Sequence, residues 1–137
     1  MSQAARFPFS DANPGRPGTS LMPLLPLVLS RGELQVEAVG LLDTGAAVNV
    51  LPYSLGEQLG LVWGEQKVPV VLSGNLARLP ARGVLVSVTV APFAPARLAF
   101  AWTQADDILL LGQTNFFLEF EACFFRAQSE FEVKPKS

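Results

Sequence analysis

The chain has 137 residues, enough for one domain with a true core and too few for two. Half of its residues are hydrophobic and only 16% are charged, against roughly 25% in ordinary domains, so a sizeable contact between copies is the economical way to hide the apolar surface. A net charge of −2 without a basic cluster argues against nucleic acid and anionic membranes as partners.

No histidine is present, so a Ser-His-Asp or Cys-His centre and a histidine-containing zinc site are excluded. The single cysteine, Cys123, allows no internal disulfide and fits a reducing compartment. Within Phe120-Glu121-Ala122-Cys123-Phe124-Phe125 it reads as a buried structural thiol. The most apolar early segment, Leu21 to Leu29, is short and broken by Pro23 and Pro26. Neither a signal peptide nor a membrane span is expected there, and the expected location is cytoplasmic.

In chain order, residues 1–20 carry Pro8, Pro14, Gly15, Pro17 and Gly18 and read as a flexible N-terminal arm, with one domain over 21–137. Leu24 to Ser30 and Glu33 to Gly40 read as a hairpin turning at Arg31-Gly32. Its second strand sets Leu34, Val36 and Ala38 against Glu33, Gln35 and Glu37, the period of a half-buried strand. Leu41-Leu42 then carries Asp43 into the turn Thr44-Gly45-Ala46. A carboxylate brought to the end of a buried strand is costly to ionise without partners, which makes Asp43 a candidate for acid–base chemistry. Asp-Thr-Gly also occurs as an ordinary turn between strands.

Val48 to Leu51 is extended, and Pro52 to Gly60 reads as a short helix that Pro52 starts and Gly60 stops. Leu55 and Leu59 share one face of it, and Tyr53 reads as a packing residue. Val68 to Leu72 and Leu76 to Pro80 read as a hairpin around Ser73-Gly74-Asn75. Gly83 to Val90 is an alternating strand with Val84, Val86, Val88 and Val90 on one face. After a loop at Ala91 to Pro95, Leu98 to Trp102 is another strand. Asp106-Asp107 reads as a solvated turn rather than a carboxylate pair, because adjacent residues point apart. Ile108 to Leu111 is an apolar run ending at Gly112 and leading into a short helix. Phe116, Phe117 and Phe120 form a core face, and Phe120 to Phe125 with Phe131 to Val133 closes the domain as a hairpin around Ala127-Gln128-Ser129.

Leu41-Leu42-Asp43-Thr44-Gly45-Ala46 resembles the active-site loop of the aspartic proteases. Its single copy in a short chain is similar to the retropepsins, in their single-domain homodimeric form of bacterial type. The resemblance implies an all-β, retropepsin-like acid protease fold: a small closed β-barrel or sandwich with a flap hairpin and one short C-terminal helix. It implies that Asp43 is catalytic, that the Thr44 hydroxyl crosses to the partner loop, that Gly45 lets the backbone approach substrate, and that Ala46 completes the active-site loop. Gly112 lies 69 positions after Asp43 (112 minus 43), and the apolar run that it ends resembles the family's second motif, with Leu111 and Gly112 supporting the cleft. By position, Ser73, Gly74 and Asn75 resemble the flap, with one glycine where retroviral flaps have several. Ala47 and Gln113 stand near the positions where retroviral enzymes carry an ion pair that braces the dimer.

The implied activity is endopeptidase cleavage of an extended peptide by an aspartate dyad formed across a homodimer, with no metal and no cofactor. The alternative is a catalytically inactive dimerisation or peptide-binding module of the same fold. A nucleotide-binding reading lacks a glycine-rich phosphate cradle and any Gly-Lys-Ser/Thr element.

Overall fold

The structure, a computed structural model, describes residues 3–11, 21–106 and 108–137, residue 75 by its backbone alone. The strands in chain order are β1 (Ala5–Pro8), β2 (Ser10–Asp11), β3 (Leu21–Met22), β4 (Leu24–Arg31), β5 (Leu34–Leu42), β6 (Val50–Leu51), β7 (Ala81–Thr89), β8 (Ala96–Thr103), β9 (Leu109–Leu111), β10 (Phe120–Phe125) and β11 (Glu130–Pro135). Two short helices interrupt them, α1 (Tyr53–Gln58) after β6 and α2 (Phe116–Glu119) after β9. The fold is all-β and built on a closed barrel of order β4-β5-β9-β6-β8-β7, with a three-stranded sheet β1-β11-β10 and a two-stranded sheet β2-β3 beside it.

Alternation decides which residues enter the barrel. Val84, Val86, Val88 and Val90 are buried along and just beyond β7 while Leu85 is half-exposed, and Leu25, Leu27 and Leu29 do the same along β4. Phe100 and Trp102 from β8 fill the centre. Trp102 is buried yet polar at one edge, so its indole N–H needs an acceptor, and the Tyr53 carbonyl takes it at 3.2 Å. The Tyr53 ring stacks on the indole at 5.4 Å, and Trp63 meets it edge-on at 5.3 Å. A side chain at Gly56 would enter the indole itself, which is why α1 can lie against this ring.

The barrel order carries the functional consequence. Parallel pairing of β5 with β9 sets Leu42 opposite Leu111, and Val50 of β6 pairs with Leu110 on the other side of β9. Thus β9 runs between the strand that enters the Asp43 loop and the strand that leaves it. The residue after Leu42 and the residue after Leu111, Asp43 and Gly112, therefore emerge side by side.

Three expectations are corrected. The arm over residues 1–20 is strand over Ala5–Pro8, which pairs with β11 (Arg6 opposite Glu132, Phe7 opposite Phe131), and Ser10–Asp11 pairs with Leu21–Met22. Pro8 is tolerated because β1 is an edge strand, where a missing N–H costs no ladder bond; residues 12–20 lie outside those described. Cys123 is exposed rather than buried. The parity of β10 sets Cys123 opposite Glu132 and Ala122 opposite the buried Val133, on the other face. The hairpin expected over Val68 to Pro80 is a ladder only at its neck. Pro69 bridges Arg82, the Val70 N–H bonds the Ala81 carbonyl, and the Gly83 N–H bonds the Val68 carbonyl. Beyond Val70, β7 has not yet begun and offers no facing partner. Residues 71–80 instead form a loop whose turns close on themselves, Ala77 N–H to Gly74 and Leu79 N–H to Leu76.

Candidate active site

Asp43 is the first residue past β5, and its backbone N–H still joins the barrel through the Leu111 carbonyl at 3.0 Å. Its Oδ1 accepts the Gly45 N–H at 2.9 Å, and its carbonyl accepts the Ala46 N–H at 3.1 Å. This is the local side-chain-to-backbone turn that short carboxylates favour. Asp43 is half-buried, while Thr44 and Gly45 are exposed. The carboxylate thus sits at a surface-facing opening rather than inside the barrel.

The second motif holds this loop from beneath. The Gln113 N–H bonds the Ala46 carbonyl and the Thr114 N–H bonds the Ala47 carbonyl, both at 2.9 Å. The Thr114 hydroxyl adds a bond to the Ala47 carbonyl at 2.7 Å, and the Gln113 side-chain amide donates to the Thr44 carbonyl at 2.6 Å. Gln113 therefore ties its own chain's loop through neutral hydrogen bonds, one from its backbone and one from its side chain.

Above the loop lies a cleft of about 550 Å³. It is lined by Asp43, Gly45 and Ala46, by the apolar side chains of Val50, Ile108 and Leu110, and by Val71, Ser73, Gly74, Leu76 and Leu79 of the 71–80 loop. Asp43, Gly45, Ala46, Ser73 and Gly74 thus line one cavity. Leu111 is buried, Thr44 is exposed and does not line the cleft, and Gly112 packs close to the backbone of Ala46 and Val48. The turn at Gly74 has φ +64 with open space around the position of a side chain, as a glycine-requiring tip should. Val71 is 93% exposed at the front of this loop. The base of the loop is braced by Arg82, which donates to the Gln66 carbonyl at 2.6 Å and lies over the Trp63 ring at 5.2 Å.

Asp106 serves the fold, since its Oδ1 accepts the Ser54 N–H at 2.7 Å in the first turn of α1, as carboxylates at helix starts do. That bond holds the loop that presents Ile108 to the cleft. Asp107 lies outside the described residues. Among the described residues, no three Cys, Asp or Glu side chains converge as a set of metal ligands.

One residue of the site escaped sequence reasoning. Asn49 is completely buried, and a buried amide must find partners for both its oxygen and its nitrogen. Its Oδ1 accepts the Gly112 N–H at 2.8 Å and the Phe116 N–H at 3.3 Å, and its Nδ2 donates to the Ala99 carbonyl at 3.1 Å. The signal was a lone amide in the apolar run Val48-Asn49-Val50-Leu51.

Comparison with known proteins matches a family described as aspartyl protease over residues 31–114, the span from the β4–β5 turn to the bonds beneath the Asp43 loop. A solved structure, a retropepsin-like aspartic protease from Rickettsia conorii, is similar with a TM-score of 0.61 at 14% identity, covering 96% of this chain and 91% of that one. A search of curated proteins finds no match.

Proposed function

This chain belongs to the aspartyl protease family, and on that premise we propose that two copies of it form one aspartic endopeptidase site. The observation that carries the proposal is that Asp43 and residues of the 71–80 loop line one and the same cleft. One chain brings one such aspartate, and the chemistry requires two. In a symmetric pair the two Asp43 carboxylates face each other across the axis and share a proton, because like charges so close do not both ionise, a general property of aspartic-protease dyads. The ionised carboxylate takes a proton from water as the water attacks the scissile carbonyl, and the protonated one gives its proton to the carbonyl oxygen. Collapse of the tetrahedral intermediate breaks the C–N bond, with a proton passing to the leaving amine.

The substrate is an extended peptide whose backbone bonds to exposed chain edges at the cleft. Val50, Ile108 and Leu110 favour apolar side chains. A peptide in which a hydroxyl-bearing centre replaces the scissile amide should bind far more tightly than substrate, as mimics of a transition state do. Metal chelators and thiol- or serine-directed reagents should leave turnover unchanged. Inhibition by a chelator would contradict the mechanism, and a chain that binds the mimic but cleaves no peptide would point to the inactive-module alternative.

In this proposal the 71–80 loop closes over substrate. Gly74→Val forces a β-branched residue into φ +64, a conformation such residues resist. The side chain itself meets open space, so the strain falls on the loop and not on the barrel. Turnover should fall roughly tenfold for a strain of about 1–2 kcal/mol placed on the closed loop, while the melting temperature moves little. Steady-state kinetics beside a thermal melt make the comparison, and unchanged kinetics would remove the loop from the cycle.

A further inference from the structure

We infer that Asn49 is a positioning residue that sets the orientation of Asp43 through a single peptide plane. The inference rests on the proposed role of Asp43. The peptide joining Leu111 to Gly112 presents its N–H to Asn49 Oδ1 at 2.8 Å and its carbonyl to the Asp43 N–H at 3.0 Å. Because a peptide unit is rigid and planar, holding one end fixes the direction of the other. Asn49 grips the N–H end, and the C=O end grips the backbone from which the carboxylate extends.

The grip is itself anchored. Asn49 Nδ2 donates to Ala99 of β8, and its carbonyl accepts the Ala101 N–H at 2.9 Å. The second bond of Oδ1, from Phe116 at the start of α2, stops the amide from turning away. An amide is the side chain that this place calls for. Leucine has a similar shape but accepts nothing, and aspartate accepts twice but cannot donate to Ala99 when ionised. Gly112, for its part, packs so close to the backbone of Val48 and Ala46 that a side chain there would strike it, so the plane lies against the Asp43 loop that it orients.

Two variants separate positioning from stability. Asn49→Leu removes the grip on the Leu111–Gly112 plane. Asn115→Ala removes a neighbouring bond, to the Asn49 backbone, and leaves the Asn49 side-chain bonds in place. Below both melting temperatures, Asn49→Leu should lower kcat on the order of a hundredfold with KM within about twofold, the effect of a catalytic group displaced from its reacting geometry. Asn115→Ala should keep kcat within about threefold of the unaltered chain, even where its melting temperature falls as far. Amide hydrogen exchange adds a readout that needs no activity. In Asn49→Leu the Asp43 and Gly112 amides should both exchange at least about tenfold faster, with β4 and β7 amides unchanged.

Turnover lost in step with melting temperature in both variants would overturn the inference, as would an Asp43 amide that stays protected in Asn49→Leu. If the unaltered chain cleaves no peptide, the catalytic reading fails. The exchange experiment then still decides whether Asn49 governs the Asp43 backbone.

Discussion

Asp43→Asn should leave the loop folded and abolish turnover. The amide oxygen of the replacement can still accept the Gly45 N–H that Asp43 Oδ1 now accepts at 2.9 Å, and the side chain keeps its shape. What is lost is the ability to take up and release a proton, which positioned acid–base groups turn into roughly 10²- to 10⁴-fold in rate. In the proposed symmetric site one substitution removes both carboxylates at once, so the loss should reach the top of that range or fall below detection. Initial rates on a peptide substrate, beside a melting curve within a few degrees of the unaltered chain, measure it. A variant that keeps a tenth of the activity would show that Asp43 is not the proton-transfer group.

Gly112→Ala should lower both stability and turnover although the residue does not line the cleft. A methyl carbon there would lie 2.5 Å from the Val48 carbonyl oxygen, 2.6 Å from the Val48 carbonyl carbon and 2.9 Å from the Ala46 carbonyl oxygen. All three are backbone atoms of the loop that follows Asp43, so no side-chain rotation relieves the contact. The Ala46 carbonyl is moreover held by the Gln113 N–H, and moving it breaks the bonds that seat the loop. Overpacking against backbone costs about 1–3 kcal/mol and at times more, and here the displaced segment carries Asp43. Stability should fall by roughly 2–4 kcal/mol and turnover with it. Gly64→Ala is the matched control. Nothing lies within 4 Å of a side chain there, and the change should stay within about 0.5 kcal/mol. Denaturant melts of the two variants test the contrast, and equal stabilities would contradict the close approach at Gly112 as the cause.

The parts legible in the sequence were those with a local cause. The period-2 pattern of residues 33–40 and 84–90 marked their strands because each side chain's face follows from its own neighbours. Asp43-Thr44-Gly45 and the apolar run ending at Gly112 were legible as a pair, and the order β5-β9-β6 is what brings them together. Non-local pairing was not legible. The prolines of residues 1–20 suggested an arm, whereas β1 is held by β11 from the far end of the chain, with Arg6 reaching Glu130 at 3.3 Å and Glu132 at 3.6 Å. Cys123 was misplaced because an apolar neighbourhood in sequence does not tell which face a strand residue takes. The hairpin over 68–80 failed where β7 stops facing it, a matter of register and not of propensity. Asn49 passed as one more residue of the extended run Val48 to Leu51, since its partners Gly112, Phe116 and Ala99 are all more than 45 residues away.

The central claim, that one site needs Asp43 from two chains, is tested most directly by mixing the unaltered chain with Asp43→Asn under conditions of free subunit exchange, verified with labelled chains. If f is the fraction of unaltered chains, dimers with two intact carboxylates form as f squared by the pairing of a symmetric dimer, so an equal mixture should retain about a quarter of full activity. A linear fall, with about half of the activity left in the equal mixture, would mean that each chain cleaves on its own and would contradict the shared site.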